Sequence, residues 1–195
     1  VRKAYCLFVF SFIYSISFAQ NIAVINGKSV STKEFMWAYK KSHNGSINAD
    51  YSSLQAYLNL YINFKLKVLD ARELGLDKSL TYQEEIKTYE EALTTHKKVR
   101  GTGKDHDFLI NEYREGVLMF NVSEQKIWNK AQDDEQALDD FYNKNKQNYN
   151  KPLSEVRGNV IADYQQSLEE NWLKGLKQKY QVKVNDNELK KLAKL

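Results

Sequence analysis

Along most of this chain, apolar side chains recur three and four residues apart; only two short stretches alternate instead. In the first, Ile22 to Ile25 reads as a short strand and Lys28 to Val30 as its return, joined by Asn26-Gly27, a type I′ turn pair that tolerates positive φ. Ser31, with Glu34 three residues later, has the form of a capping box. It predicts a helix carrying Phe35, Met36, Trp37 and Tyr39 to about His43, before an Asn44-Gly45-Ser46 loop.

The next helix has the clearest stripe: Leu54, Tyr57, Leu58, Tyr61, Ile62, Leu66 and Leu69, widened by Phe64 and Val68. A stripe covering about half the circumference predicts neighbours on two sides. Gly75 is placed to end that helix, with Arg72 in its last turn. Thr81 and Glu84 suggest a second capping box, opening a more polar helix with Tyr82, Ile86, Tyr89 and Leu93 on one side. The charged, glycine-containing stretch 96–105 reads as a linker. Residues 107–120 return to a helical apolar pattern, after which Asn121 or Ser123 could cap a short helix bearing Ile127 and Trp128. Another short helix carries Leu138, Phe141 and Tyr142.

Pro152 stands where a last helix can begin. In it Val156, Val160, Tyr164, Leu168, Trp172, Leu176 and Tyr180 fall every four residues. Four residues advance about 400°, so the stripe drifts about 40° per step and about 240° overall. Such a helix cannot lie on one flat surface. Different neighbours must grip its two ends, and the first three helices are expected to form the arms around it. Gln181 to Val184 alternates again as a strand, able to pair with the N-terminal strands, and Asn185 to Leu195 reads as a short tail helix. The predicted fold is mostly α, with a small antiparallel sheet joining the two ends of one domain built from residues 20–95 and 106–195.

Composition changes this picture in one place. Arg2 and Lys3, the apolar run from Ala4 to Phe18 and the small residues Ser17 and Ala19 have the form of a signal peptide, residues 1–19, cleaved after Ala19. An exported protein without stable membrane insertion is therefore expected. The formal charge is +4 among 195 residues, and loss of Arg2 and Lys3 would leave about +2. This is too weak and too mixed to indicate a nucleic-acid partner. The one cysteine, Cys6, lies in the leader, so the expected mature chain has no thiol for a disulfide or metal. One proline favours long helices, and thirteen tyrosines favour surfaces that are half apolar and half wet.

Catalytic motifs are not found. His96, Asp105, His106 and Asp107 match no usual metal-ligand spacing and read as a solvated linker, so no metal or cofactor is expected. Gly101 to Lys104, GTGK, lacks the glycine spacing and the final Ser or Thr of a phosphate loop. Paired carboxylates such as Glu84-Glu85, Glu90-Glu91 and Asp139-Asp140 read as helix-face charges.

Several stretches resemble exported chaperones of the SurA and PrsA type. NIAVINGKSVSTKEFMWAYKK resembles their opening strand, turn and first helix; YINFKLKVLDARELGLD resembles the second helix and TYQEEIKTYEEAL the third. Residues 111–149 are similar to the inter-domain segment of the Bacteroidetes branch, and residues 152–185 to the closing helix and strand. The family carries parvulin-type peptidyl-prolyl isomerase domains in positions equivalent to about Leu93 to Phe108 and about Tyr149 to Pro152. Here those gaps hold a short linker and almost nothing. The resemblance thus implies a SurA-like helical chaperone domain and no isomerase site.

What it implies about function is an ATP-independent holdase in the periplasm of a Gram-negative bacterium, binding unfolded envelope proteins such as outer-membrane β-barrel precursors. Two alternatives stand beside it: a prolyl isomerase subunit acting with a parvulin in trans, and a structural envelope helix bundle. The candidate client-binding residues are Trp37, Tyr57, Tyr61, Phe64, Tyr113, Met119, Phe120, Trp128, Tyr164 and Trp172. Aromatic rings with one adaptable methionine suit extended segments, because tyrosine contacts apolar side chains while its hydroxyl meets peptide groups.

Overall fold

A computed structural model of the chain describes residues 21–45, 49–97 and 104–194. The leader 1–19 and the middle of the expected linker, with Gly101 to Gly103, lie outside the described residues. The fold is mostly helical, with one small antiparallel sheet.

Strands β1 (Asn21–Ile25) and β2 (Lys28–Ser31) form the hairpin that Asn26-Gly27 announced, with φ of 47° and 77° at the turn. Ile25 faces Lys28 across the two-residue loop. β3 (Val182–Val184) pairs antiparallel with the other edge of β1, Ile25 opposite Val182 and Ala23 opposite Val184. Asn26 N–H donates to the Gln181 carbonyl at 2.8 Å and Asn185 N–H to the Ile22 carbonyl at 2.9 Å, so the pairing extends past both strand ends. The two ends of the described chain are thereby joined, as the alternation of residues 181–184 predicts.

Ser31 caps α1 (Thr32–Ser42) by accepting from Glu34 N–H at 3.1 Å. The expected box is only half made: the Glu34 carboxylate turns to α2, where it accepts from Tyr61 at 2.6 Å and Lys65 at 2.7 Å. α2 (Tyr51–Glu73) begins at an Asp50 cap and stops before Gly75, whose φ of 75° takes the chain out of the helix. After a 3₁₀ turn at Leu76–Lys78, α3 (Leu80–Lys97) starts one residue before Thr81. Its cap is Ser79, whose hydroxyl accepts from Tyr82 N–H at 3.3 Å. Thr81 already lies inside the helix, so it cannot serve.

α3 runs through 96 and 97, and α4 (Lys104–Ser123) takes in 104 and 105, so the linker is shorter at both ends than its charge pattern suggests. Asn121 and Ser123 cap nothing. Ser123 is helical, with φ −69° and ψ −39°, and its hydroxyl points at the Met119 sulfur. α4 instead continues through a π turn (Glu124–Trp128) into α5 (Asn129–Asp133). The reason is tertiary: Leu118, Val122, Ile127 and Ala131 are all buried, and this continuous burial outweighs the local pull of Asn and Ser toward a cap. The break comes at Asp134, whose side chain accepts from Ala137 N–H at 3.0 Å and caps α6 (Glu135–Lys144).

α7 (Leu153–Lys179) follows Pro152. Its winding stripe meets different partners in turn. Val160 is buried with Leu138 and Tyr142 of α6. Trp172 packs beside Val68 and Ala71 of α2 and Leu118 and Val122 of α4. Leu176 and Tyr180 enter the main core with Ile22, Ile25, Phe35, Leu58 and Leu66. The expectation of two different grips is met, but the arms are not α1, α2 and α3. Of those helices α2 is the chief partner, and α5, α6 and the π turn supply the others. Finally α8 (Asp186–Leu192) lays Leu189, 1% exposed, under the sheet.

Candidate functional site

The ten candidate aromatic and methionine positions do not share one groove. Tyr57, Tyr61 and Phe64 belong to a string of rings along α2. Tyr57 lies against Phe35 and Tyr39 of α1, with centroids 5.7 and 5.2 Å away, and Tyr61 lies 6.3 Å from Phe64. The Tyr61 hydroxyl is fixed on Glu34, and burial with that carboxylate beside it raises its pKa far above the ordinary value. Trp37 packs against Phe108 of α4 at 5.7 Å. Tyr164 packs against Phe141 at 4.9 Å on the α6–α7 side. Met119 fills space against the α2–α4 core.

Trp172 is a pin between helices. Its indole N–H donates to Asp70 at 2.9 Å, and Lys67 and Lys126 stand over its ring at 5.4 and 5.6 Å. Asp70 is buried and also pairs with Lys126 at 2.7 Å. The half-buried ring and the buried carboxylate are thereby held together inside the α2–α7 contact.

Three of the ten, Tyr113, Phe120 and Trp128, do lie along one surface. α4 carries two apolar stripes on opposite faces. Leu118 and Val122 point to α2 and are sealed. Leu109, Tyr113, Val117 and Phe120 follow helical spacing on the other side. This second stripe floors a cleft of about 550 Å³, walled by Glu85 and Tyr89 of α3 and by Lys41 at the end of α1. Gly116 sits in the floor, where no side chain rises. Phe120 is 53% exposed and touches Trp128 edge-on at 4.9 Å, which carries the apolar surface beyond the cleft.

Tyr89 and Tyr113 stack face to face, with centroids 3.5 Å apart and planes 7° from parallel. The Tyr113 hydroxyl donates to Glu85 at 3.1 Å. Burial, and then that carboxylate, push the Tyr113 pKa up, so the phenol stays protonated at neutral pH. On the opposite rim Lys41 pairs with Glu112, and Lys41 Nζ lies 5.3 Å from the Trp37 ring. The cleft is therefore an apolar trough with hydroxyls and a few charges at its edge. It can shield an apolar segment and offer donors to its peptide groups.

Tyr89, Leu109, Val117, Lys41, Glu85 and Glu112 were not among the candidates. The α4 stripe at 109, 113, 117 and 120 was a usable signal. That it is only partly covered was not, because coverage depends on where α1 and α3 come to rest. Among the described residues no group of three metal-ligating side chains converges, and no helix is long and apolar enough to cross a membrane. Among the described residues His106 pairs with its neighbour Asp107 at 3.7 Å. Comparison with protein-family models, with curated proteins and with solved structures finds no match to this chain.

Proposed function

We propose that this protein is an exported, ATP-independent holdase that keeps extended apolar segments of unfolded envelope proteins, outer-membrane β-barrel precursors among them, in the cleft on α4. The observation that carries the reading is the second apolar stripe of α4, half-buried at Leu109, Tyr113 and Val117, exposed at Phe120, and lining a cleft edged by tyrosine hydroxyls. A helix apolar on both faces is ordinarily covered on both, and an apolar face left partly open along a cleft marks an interaction surface. The resemblance of the sequence to exported chaperones gives the client class and the periplasm as the place of action. Binding is by transient burial and release by dissociation, with weak affinity because ordering a flexible client costs entropy.

Diluting a denatured β-barrel protein into buffer with and without the protein tests this. Near-stoichiometric protein is expected to suppress light scattering. Phe120→Asp, which places a charge in the trough without touching the core, is expected to abolish most of that suppression while leaving the helical circular dichroism unchanged. Full suppression by the variant would remove the cleft from the mechanism; no suppression by the unmodified protein would favour a structural role.

A further inference from the structure

We propose that the cleft prefers apolar segments bearing lysine or arginine, the basic side chain seating between Glu85 and the Tyr89–Tyr113 stack; this rests on the reading of the cleft as the polypeptide-binding site. Among the described residues the charges at the rim are one lysine against two carboxylates. Lys41 is already committed to Glu112. Glu85 has the Tyr113 hydroxyl as its partner and no ion pair among the described residues. One donated hydrogen bond leaves most of the acceptor capacity of a carboxylate free.

The tyrosines add to this. Their ring faces carry negative charge density and lie next to that carboxylate. A carboxylate beside aromatic faces attracts an ammonium or guanidinium by both routes. The methylene stem of lysine or arginine can lie along Val117 and Leu109 while the charged head reaches the rim, so the cation does not interrupt the apolar contact. The Lys41–Glu112 pair is about half exposed, with side chains 50% and 40% accessible, and so can open to share Glu112 with an arriving cation. An acidic segment would instead meet a like charge on each rim, Glu85 on one and Glu112 on the other. The expected client stretch alternates apolar with basic residues.

Fluorescence anisotropy with three labelled peptides tests the inference: one leucine–serine sequence, the same sequence with arginine at some serine positions, and the same with glutamate there. At low salt the arginine peptide is expected to bind about tenfold tighter than the neutral one, and the glutamate peptide weaker. High salt is expected to shrink the difference. Glu85→Gln is expected to remove most of the arginine advantage, read as the ratio of arginine-peptide to neutral-peptide affinity, and Glu84→Gln on the adjoining face is expected to leave that ratio in place. If the neutral peptide binds and arginine gives no advantage, or the advantage survives Glu85→Gln, the preference is overturned and the cleft still stands as a binding site. If none of the three peptides binds, the reading of the cleft itself fails and the preference falls with it.

Discussion

At the residue scale, the same kind of side chain does opposite work depending on what stands beside it. Trp172 and Trp128 are both half-buried, yet Trp172 is held by Asp70 and two lysines, while Trp128 meets the exposed Phe120. Replacing Trp172 by Phe keeps most of the ring packing and removes the indole donor. Asp70 is buried and would lose one hydrogen bond to its charged carboxylate, a loss of about 1 to 3 kcal/mol. The urea midpoint is expected to fall accordingly, while the remaining folded protein keeps its aggregation suppression because the α4 cleft is untouched. A loss of suppression without a loss of stability would place Trp172 in the binding surface. Sequence could not separate these roles, since aromatic residues at helical spacing look alike until the neighbouring helix supplies or withholds a polar partner. Tyr61 shows the same point: its spacing marks a stripe, and only the Glu34 carboxylate it donates to shows that its hydroxyl is already engaged.

Among the elements, α7 is the most informative. Its every-fourth-residue stripe turns around the axis, and each section of the helix is buried by a different partner. The N-terminal part belongs with α6 in a small cluster of Leu138, Tyr142 and Val160, separate from the main core. Small clusters of this kind open more readily than large ones. Leu138 is fully buried there, and Leu138→Ala is expected to cost about 2 to 5 kcal/mol of that cluster's stability. Hydrogen exchange would check it: amides of α6 and the first half of α7 are expected to lose protection well before those of α2. Equal loss everywhere would mean that the protein opens as a single unit. The boundaries of α4 were less legible than the stripe of α7. Ser123 and Asn121 are good caps in isolation, but Ile127 and Ala131 carry the burial onward and keep the chain helical past them.

In the whole molecule, the decisive contact is between distant stretches of sequence. β3 completes the sheet begun by β1, and the end of α7 meets the end of α2, where Tyr180 and Lys179 both reach Glu73. The Lys179 ammonium, and then the Tyr180 hydroxyl, lower the pKa of Glu73 below the usual glutamate range, while burial and this carboxylate push Tyr180 up to about 12. A lowered carboxylate pKa has one sign in the linkage: its stabilisation is fully present above the unfolded-state value and is lost as pH falls through the folded-state value. Thermal stability is therefore expected to fall on acidification through the glutamate range, and Glu73→Gln is expected to flatten part of that slope while barely changing it near neutrality. An unchanged acid slope in the variant would mean that the clasp contributes nothing to linkage.

Helix and strand identity, the hairpin turn and the winding stripe of α7 were determined by local sequence, because hydrophobic spacing and backbone preference act within a few residues. The pairing of Gln181–Val184 with the N-terminal strand was also readable, since both segments alternate and a lone strand leaves its backbone unpaired. Which helices grip α7, which rings are sealed and which face of α4 stays open were decided only by tertiary structure. Those outcomes depend on the relative placement of α1, α3 and α6, and an exposed apolar stripe is chemically the same as a buried one until a neighbour covers it.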